Sequence, residues 1–365
     1  MNGGGIVMKY ALIGCGRVSP NHLKAAVANG FTVVAVCDTD NTHIDDMIER
    51  AALDRDFSDL HRYADWNEML DSEKPDLVSI ALPSGLHAKA ALDCIRRGVH
   101  TLIEKPMAMR LSDADMIIEE ADKHGVTVGV CHQNRFNIAV QEMRKAIDAG
   151  WFGQLSHGAI TVRWCRGKDY YDQADWRGKW ASDGGTLMNQ CIHGIDLLRW
   201  MLGGELTEVF GFTERRQHPY IEAEDIGVAV LKFANGAVAT VEGTVNCAER
   251  NLEEHLSVFG TTGMCKLGGT SANTVEVWQM PHALEDVSGL IEQTENVYGN
   301  GHTSLFRDFA EAVRDGRKPY VDAEAGRSAL ETVLAIYKSA ALGRPVHLPM
   351  TEDCASEDFT GRFDA

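Results

Sequence analysis

The sequence predicts an α/β protein in two parts: a parallel, doubly wound sheet, then a second domain built on a large antiparallel sheet. Three observations predict it. Up to about residue 130, short β-rich runs alternate with amphipathic helical runs. Those strand runs are almost continuously apolar, as strands covered on both faces are. After residue 150, strand-like runs follow one another through tight turns with no helix between them. A chain of 365 residues also exceeds what one compact core usually holds.

In the first part the strand runs are 9–13, 32–38, 77–82, 100–104 and 127–131. The helical runs between them are 21–28, 44–52, 88–97 and 113–124. Three of these helical runs end at Gly30, Gly98 and Gly125, the residue that best closes a helix in the left-handed conformation. In the second part strands are expected over 156–166, 208–214, 226–233, 237–245, 255–259, 265–268 and 274–280. Asn235-Gly236 and Thr262-Gly263 supply hairpin turns, because both tolerate the positive φ a tight turn needs. Helices over 186–202, 304–314 and 323–341 are expected to cover one face of that sheet. The stretch 281–300 carries no clear pattern, and Gly3-Gly4-Gly5 reads as a loose leader.

Composition narrows the class of function. The residues are 44% hydrophobic and 24% charged, ordinary globular values, and the formal charge is −18. Such a field repels phosphates, which argues against nucleic acid or an anionic membrane as partner. The nine cysteines are scattered, odd in number and never spaced as Cys-x-x-Cys, which fits a reducing compartment and not a disulfide framework. No signal-peptide pattern and no membrane-length apolar run is visible, so a cytoplasmic protein is expected.

Two places carry chemistry. Gly14-Cys15-Gly16-Arg17-Val18-Ser19 follows the first strand and opens a helix, where backbone N–H groups can meet a pyrophosphate. The third fingerprint position is Ser19, not Gly or Ala, which weakens the motif. Asp38 ends the second strand, where a carboxylate can accept from both ribose hydroxyls. With Asp40 nearby and no Arg adjacent, NAD is favoured over NADP. Asp38 as a turn or cap residue is the plainer alternative. Glu104-Lys105-Pro106 ends a later strand, in the region where ligands bind such sheets. A partly desolvated amine there can take the proton of an alcohol, while a surface lysine paired with Glu104 gives the same residues.

The second place is Gly184–Asp196. On one helix Asn189, His193 and Asp196 lie at i, i+4 and i+7, an amide, an imidazole and a carboxylate on a single stripe. That pattern suits acid–base work, and a hydrogen-bonded core histidine is the plain alternative. A metal held by His193 and Asp196 lacks a companion ligand at suitable spacing, so no metal is expected.

Taken together, Gly14-x-Gly16, Leu82-Pro83-Ser84-Gly85-Leu86-His87, Glu104-Lys105-Pro106 and the glycine-led helix with His193 resemble the Gfo/Idh/MocA oxidoreductases, in order and as far as about Leu348. The resemblance implies a Rossmann NAD-binding domain over 8–131. It also implies a substrate-binding and oligomerisation domain over 132–349, with an open-faced, mostly antiparallel sheet and a dimer or tetramer as the assembly. The cofactor residues it implies are Gly14, Gly16, Arg17, Val18, Asp38, Pro83, Ser84, His87, Glu104, Lys105, Asn134, Trp176 and Arg177. Lys105 and His193 become the proton-handling pair, flanking one nicotinamide C4. Asn189 stands where the family commonly has Asp; an amide cannot take up a proton, so it is expected to orient a substrate hydroxyl.

A narrower resemblance lies in His132–Asn137, Arg163-Trp164-Cys165-Arg166 through Tyr170-Tyr171-Asp172, Trp176–Trp180 and Asn189-Gln190. These are similar to the branch that oxidises C3 of UDP-N-acetylglucosamine-type sugars, notably the glucuronate. That implies Arg163, Arg166, Tyr171, Asn189 and His193 as substrate residues. Between Arg163 and Lys179, five basic residues stand against three acidic ones, an excess that could hold a diphosphate or a sugar carboxylate. A solvated strand edge gives the same composition. The other readings are a dehydrogenase or ketoreductase of a free sugar or inositol, a non-catalytic NAD-binding regulator, and a metal-dependent lyase.

Overall fold

The computed structural model describes residues 8–282 and 299–364. The Gly3-Gly4-Gly5 leader and most of the 281–300 stretch lie outside them. The described residues fall into two compact units. The first comprises the chain up to Ala108 with Ser112–Cys131 and His302–Arg327; the second comprises Met109–Leu111, His132–Gly301 and Ser328 onward.

The first unit is built on six strands. They are β1 (Lys9–Ile13), β2 (Thr32–Cys37), β3 (His61–Tyr63), β4 (Leu77–Ile80), β5 (His100–Ile103) and β6 (Val128–Val130). All pair in parallel, in the order β3-β2-β1-β4-β5-β6. The connecting helices are α1 (Ser19–Ala28), α2 (Asn41–Ala51), α3 (Trp66–Glu73), α4 (His87–Ile95) and α5 (Leu111–His124). Gly30, Gly98 and Gly125 take φ of 75°, 76° and 65°, as expected of helix-closing glycines. The sequence pattern predicts nothing at β3 and α3. β3 has three residues, none of them buried, so no apolar run marks it. α3 is set by a local cap, with Asp65 accepting from the N–H groups of Asn67 and Glu68.

The strand order reverses between β1 and β4. The crevice at the carboxyl ends of strands on either side of such a switch point is where open α/β sheets bind ligands. β1 there runs into Gly14 and β4 into Leu82-Pro83.

The second unit carries an eight-stranded sheet in the order β13-β12-β11-β7-β10-β9-β8-β14. Its strands are β7 (Leu155–Arg163), β8 (Leu206–Glu214), β9 (Ile226–Phe233), β10 (Val238–Thr244), β11 (Glu253–Gly260), β12 (Met264–Gly268), β13 (Thr274–Gln279) and β14 (Val346–His347). Pairing is antiparallel except between β7 and β10. Three helices cover one face: α8 (Gly185–Asn189), α9 (Ile192–Met201) and α11 (Ala323–Leu342). Glycines in the strands let them approach. A Cβ on Gly158 would meet Leu198 and Leu202, on Gly227 Leu187, and on Gly211 Ile336. Two short helices, α6 (Ile138–Asp148) and α7 (Lys168–Tyr171), flank β7 in the chain.

The expectation that the 304–314 helix covers this sheet is corrected. That helix, α10 (Gly301–Asp315), belongs from His302 onward to the first unit. Phe306 lies 6.0 Å from Tyr10 and 6.3 Å from Phe31 between ring centroids, and Gly129 of β6 leaves room for Phe309. The aromatic residues of α10 complete the core of the parallel sheet, a long-range preference that periodicity alone does not disclose. Replacing fully buried Phe306 by Ala should therefore destabilise the first unit by about 3–5 kcal/mol. Denaturant unfolding followed by Trp66 fluorescence reads this; a cost under about 1 kcal/mol would remove α10 from that core.

Candidate active site

In the first unit the dinucleotide turn is shaped by sterics. Gly14 has φ +91°, and a Cβ there would lie 2.5 Å from the carbonyl oxygen of Ala81. Only glycine lets β1 turn this close to the end of β4. A Cβ on Gly16 would meet nothing within 4 Å, so the protein's own packing does not require glycine there and the backbone is open to close approach. Ser19, the departure from the fingerprint, is buried and donates its hydroxyl to the carbonyl of Gly16 at 2.6 Å, fixing the turn. Val18 is the residue from which α1 starts, and Arg17 is exposed beside it.

Asp38 faces this turn. Its carboxylate accepts from the backbone N–H of Cys15 at 2.9 Å and of Asp40 at 3.0 Å, and His43 Nδ1 lies 3.0 Å away. The helix-capping role falls to Asp40, which accepts from the N–H of Thr42. Asp38 therefore ties the second strand to the glycine turn. The Gly14, Gly16 and Asp38 arrangement fits a dinucleotide.

Beyond β4 and β5 the predicted residues divide. Pro83 precedes a short 3-10 turn, Ser84–Leu86, that leads into α4. His87 is buried; Nδ1 lies 2.7 Å from the carbonyl oxygen of Pro106 and Nε2 2.8 Å from that of Leu82. Burial pushes this imidazole towards its neutral form despite both carbonyls. The ring, expected as a cofactor contact, lies between the loops after β4 and β5 and ties them together. Glu104 likewise turns inward, towards His22 and His302, and Lys105 beside it is half-buried. Neither histidine was foreseen, because nothing in their local sequence marks them.

In the second unit the helix expected over 186–202 is interrupted, and the single stripe of Asn189, His193 and Asp196 does not form. The carbonyl of Thr186 accepts from both Gln190 at 2.9 Å and Cys191 at 3.1 Å, a widened turn that closes α8 before α9 begins. No proline or glycine marks the break. Asn189, the last residue of α8, donates Nδ2 to Asp183 while its Oδ1 accepts from Gln190 Nε2 at 2.7 Å. His193 Nε2 lies 3.4 Å from the Gln133 amide, and His132 meets the His193 ring edge-on at 5.6 Å. Asp196 pairs with Arg135 in a buried two-pronged bond of 2.6 and 2.7 Å, so it anchors α9 to the Gln133–Phe136 turn. Asn134 in that turn is buried, and its side-chain oxygen has no partner among the described residues.

The basic segment resolves unevenly. Arg163 projects to the exposed sheet face, opposite buried Val162, and its guanidinium is committed to Glu242 at 2.6 and 2.7 Å and Glu253 at 2.6 Å. Strand alternation separates it from Val162 and the helices behind, so it is not gathered with the other expected substrate residues. Arg166 and Arg177, in contrast, stack on aromatic rings. Arg166 lies 5.0 Å from the Trp164 ring and 5.2 Å from Tyr170, and Arg177 4.2 Å from Tyr170 and 4.6 Å from Trp176. The Tyr170 hydroxyl accepts from Arg177 at 2.5 Å and from Gln190 at 2.9 Å, which links this stack to Asn189. Tyr171 packs edge-on to Tyr170 at 5.2 Å. Burial pushes its phenol well up, so it stays protonated. Tyr170 was not foreseen as the hub.

Behind the stack, His218 Nδ1 lies 3.1 Å from Asp225, and its Nε2 2.7 Å from the carbonyl of Arg166.

Residues 8–132 match the family described as "Oxidoreductase family, NAD-binding Rossmann fold", and residues 140–266 match the "GFO/IDH/MocA C-terminal domain". The chain belongs to the Gfo/Idh/MocA oxidoreductase family. Within it, the chain is similar to the WlbA dehydrogenase of Bordetella pertussis, solved in complex with NADH and UDP-GlcNAcA. The two are 32% identical over 94% of this chain and 99% of that one, with a TM-score of 0.83. The WlbA dehydrogenase of Chromobacterium violaceum, solved with the same pair, is 31% identical over 95% and 97%, with a TM-score of 0.84. The myo-inositol 2-dehydrogenase of Thermotoga maritima is 24% identical over 93% of this chain and 98% of its own length. The protein is thus an NAD-dependent oxidoreductase of a sugar and polyol dehydrogenase family. All nine cysteines are free, and no helix among the described residues is long and apolar enough to cross a membrane.

The His218–Asp225 pair carries a pH signature. Burial opposes charge on His218, but Asp225 and the Arg166 carbonyl outweigh it and raise its pKa. Burial likewise opposes charge on Asp225, and His218, Asn246 and backbone N–H groups outweigh it and lower its pKa. A raised histidine contributes stability fully below its ordinary value and loses it as pH rises; a lowered carboxyl does the reverse. The pair is therefore worth most between about pH 4 and pH 6.5. The stability lost in His218→Gln should be larger at about pH 6 than at about pH 9, compared by denaturant melts; equal losses would show that the pair does not titrate as assigned.

Proposed function

We propose that this chain oxidises the C3 hydroxyl of a UDP-N-acetylglucosamine-type sugar, UDP-N-acetylglucosaminuronate in the first instance, to the 3-keto sugar. The observation that carries the reading is similarity above 30% over nearly the whole chain to two dehydrogenases solved with NADH and UDP-GlcNAcA, against 24–28% for the inositol dehydrogenases. The stacked guanidiniums of Arg166 and Arg177 support it. In a chain of charge −18 they form a local cationic pair suited to oxyanions. A cytoplasmic location goes with such a substrate.

When bound, NAD⁺ supplies the hydride acceptor. In this reading Lys105, a half-buried amine just beyond the end of β5, takes the proton of the C3 hydroxyl. His193 is the second proton-handling group. Asn189, its amide oriented by Asp183 and Gln190, directs a substrate hydroxyl. Arg166, Tyr171, Trp176 and Arg177 hold the anionic and apolar parts of substrate and cofactor. Gly14, Gly16, Val18 and Asp38 hold the adenosine diphosphate end.

A second reading, oxidation of a free sugar or inositol, is favoured by the curated relatives. NADH formation at about 340 nm with UDP-N-acetylglucosaminuronate, UDP-N-acetylglucosamine, myo-inositol and glucose separates the two. Turnover of the UDP-sugars is expected, with kcat lowered about 100-fold or more in Lys105→Ala and in His193→Asn. Turnover of inositol or glucose alone would replace the first reading with the second.

We further propose that the partner is a second copy of the chain, docked on the uncovered face of the eight-stranded sheet. Phe212, Val228, Val230 and Val238 stand on that face at 58%, 41%, 52% and 51% exposure, a contiguous apolar patch across β8, β9 and β10. Light scattering should give a dimer or tetramer for the protein and a smaller species for Val230→Lys with Phe212→Glu. An unchanged mass in the double variant would place the interface elsewhere.

A further inference from the structure

Immediately before Lys105 the chain buries a charged group, and the company it keeps is unusual. Glu104 at the end of β5, His22 on α1 and His302 in the first turn of α10 converge within the first unit, at 6%, 0% and 4% exposure. His22 Nε2 is 2.9 Å from Glu104 Oε1, and His302 Nε2 is 3.6 Å from the same oxygen. The second oxygen, Oε2, accepts the backbone N–H of Lys105 at 3.2 Å. Phe306 packs edge-on to His22 at 5.5 Å and closes the cluster from the α10 side.

Burying a carboxylate is costly unless it is paired and hydrogen-bonded. Burial alone would protonate Glu104, yet the two imidazoles hold it well below the usual carboxylate range. The other titratable groups facing it are Cys131 after β6, His87 on α4 and Lys105 itself. The Cys131 thiol is pushed far up by burial and by Glu104, so it remains neutral and adds no charge. Burial also drives His302 towards its neutral form. The carboxylate is thus hydrogen-bonded by His22 on α1, while His302 on α10 packs beside the pair, with no hydrogen bond of its own among the described residues. The first turn of α1 is the dinucleotide turn: Ser19, bonded to Gly16, stands three residues before His22.

We propose that His22, Glu104 and His302 are positioning residues for Lys105. The His22 imidazole holds the Glu104 carboxylate in one orientation, His302 packs against that pair and limits its movement, and the carboxylate fixes the backbone N–H of Lys105. Because His22 rides on α1, the same contacts set the lysine in register with the dinucleotide turn. The inference rests on the role given to Lys105 above. It adds that this role depends on the buried carboxylate–imidazole cluster behind the lysine.

The test separates the two ideas by reading Lys105 directly. Acetylation of each lysine by a soluble ester is followed by peptide mass spectrometry in the wild type, in Glu104→Gln and in His302→Gln, without substrate. Lys105 should be labelled roughly three-fold faster or more in Glu104→Gln, since loss of the anchor frees it and loss of the adjacent charge favours its neutral form. The other lysines should keep their rates. His302→Gln should shift Lys105 in the same direction by less, and it remains informative if Glu104→Gln does not fold. Where a substrate is turned over, kcat in Glu104→Gln should fall about ten-fold or more while the KM for NAD⁺ stays within about three-fold.

Unchanged Lys105 labelling in both variants would overturn the proposal. So would a loss of kcat matched by an equal loss of NAD⁺ affinity, which a merely structural role predicts. The three donors could also ligate a transition metal, since their atoms lie within 4.8 Å of one another. About one equivalent of zinc by elemental analysis, lost in His302→Gln, would replace the hydrogen-bonded cluster with a metal site. Altered Lys105 labelling in a protein that oxidises no UDP-sugar would uphold the positioning and remove the proposed substrate.

Discussion

The turn at Gly14 works only because no side chain stands between it and Ala81. A Cβ would collide with the Ala81 carbonyl, so β1 can end against β4 in this way with glycine alone. That contact sits where the strand order reverses, and it fixes where α1 starts. The remainder of the first unit's site follows from it. The N–H of Cys15 in the turn meets Asp38 at the end of β2. The loop after β4 begins beside the turn, and His87 ties that loop to the one after β5. Four strand ends, those of β1, β2, β4 and β5, are thus tied to one backbone contact before any ligand is considered.

The second unit solves a different problem: holding polar side chains still on a helix that packs on a sheet. α9 is buried along nearly its whole length, and its one buried carboxylate, Asp196, is matched by the fork of Arg135. A buried pair of this kind adds little net stability over an apolar substitute, but removing either partner strands a charge, at about 3–5 kcal/mol. What it gives is orientation. The Gln133–Phe136 turn is locked to α9, and Gln133 and His132 come up against His193 as a consequence.

How much of this the sequence disclosed depended on the range of the signal. The hairpins and every parallel strand but β3 rest on period and turn chemistry within a few residues, and they fall where the pattern places them, as at Lys9–Ile13 and Ile226–Phe233. The glycine turn and the Asp38 contact to it were legible because both are tied to a strand end. The break between α8 and α9 was not, since it arises from one carbonyl taking two N–H donors. Nor was the allegiance of α10, whose amphipathic face suits either sheet until Tyr10 and Phe31 receive it. His22 and His302, 280 positions apart in the chain by their numbering, have no local signature at all. Arg163 and Arg166 looked equivalent in the sequence, but alternation along β7 and its end sends them to different surroundings.

The contrast between those two arginines also explains how an acidic protein can present positive charge. Arg163 is cancelled by Glu242 and Glu253, as a surface guanidinium in such a chain tends to be. Arg177 pairs with no carboxylate among the described residues; Tyr170 and Trp176 hold it by their ring faces instead. A ring face attracts a cation without neutralising it, each contact contributing about 0.5–2 kcal/mol. Aromatic stacking therefore fixes the guanidinium plane while leaving its charge available to an anion. Arg166 lies 5.2 Å from the same Tyr170 ring, so two like charges are gathered about one neutral aromatic. The pair thus keeps a local positive field against the −18 of the whole chain.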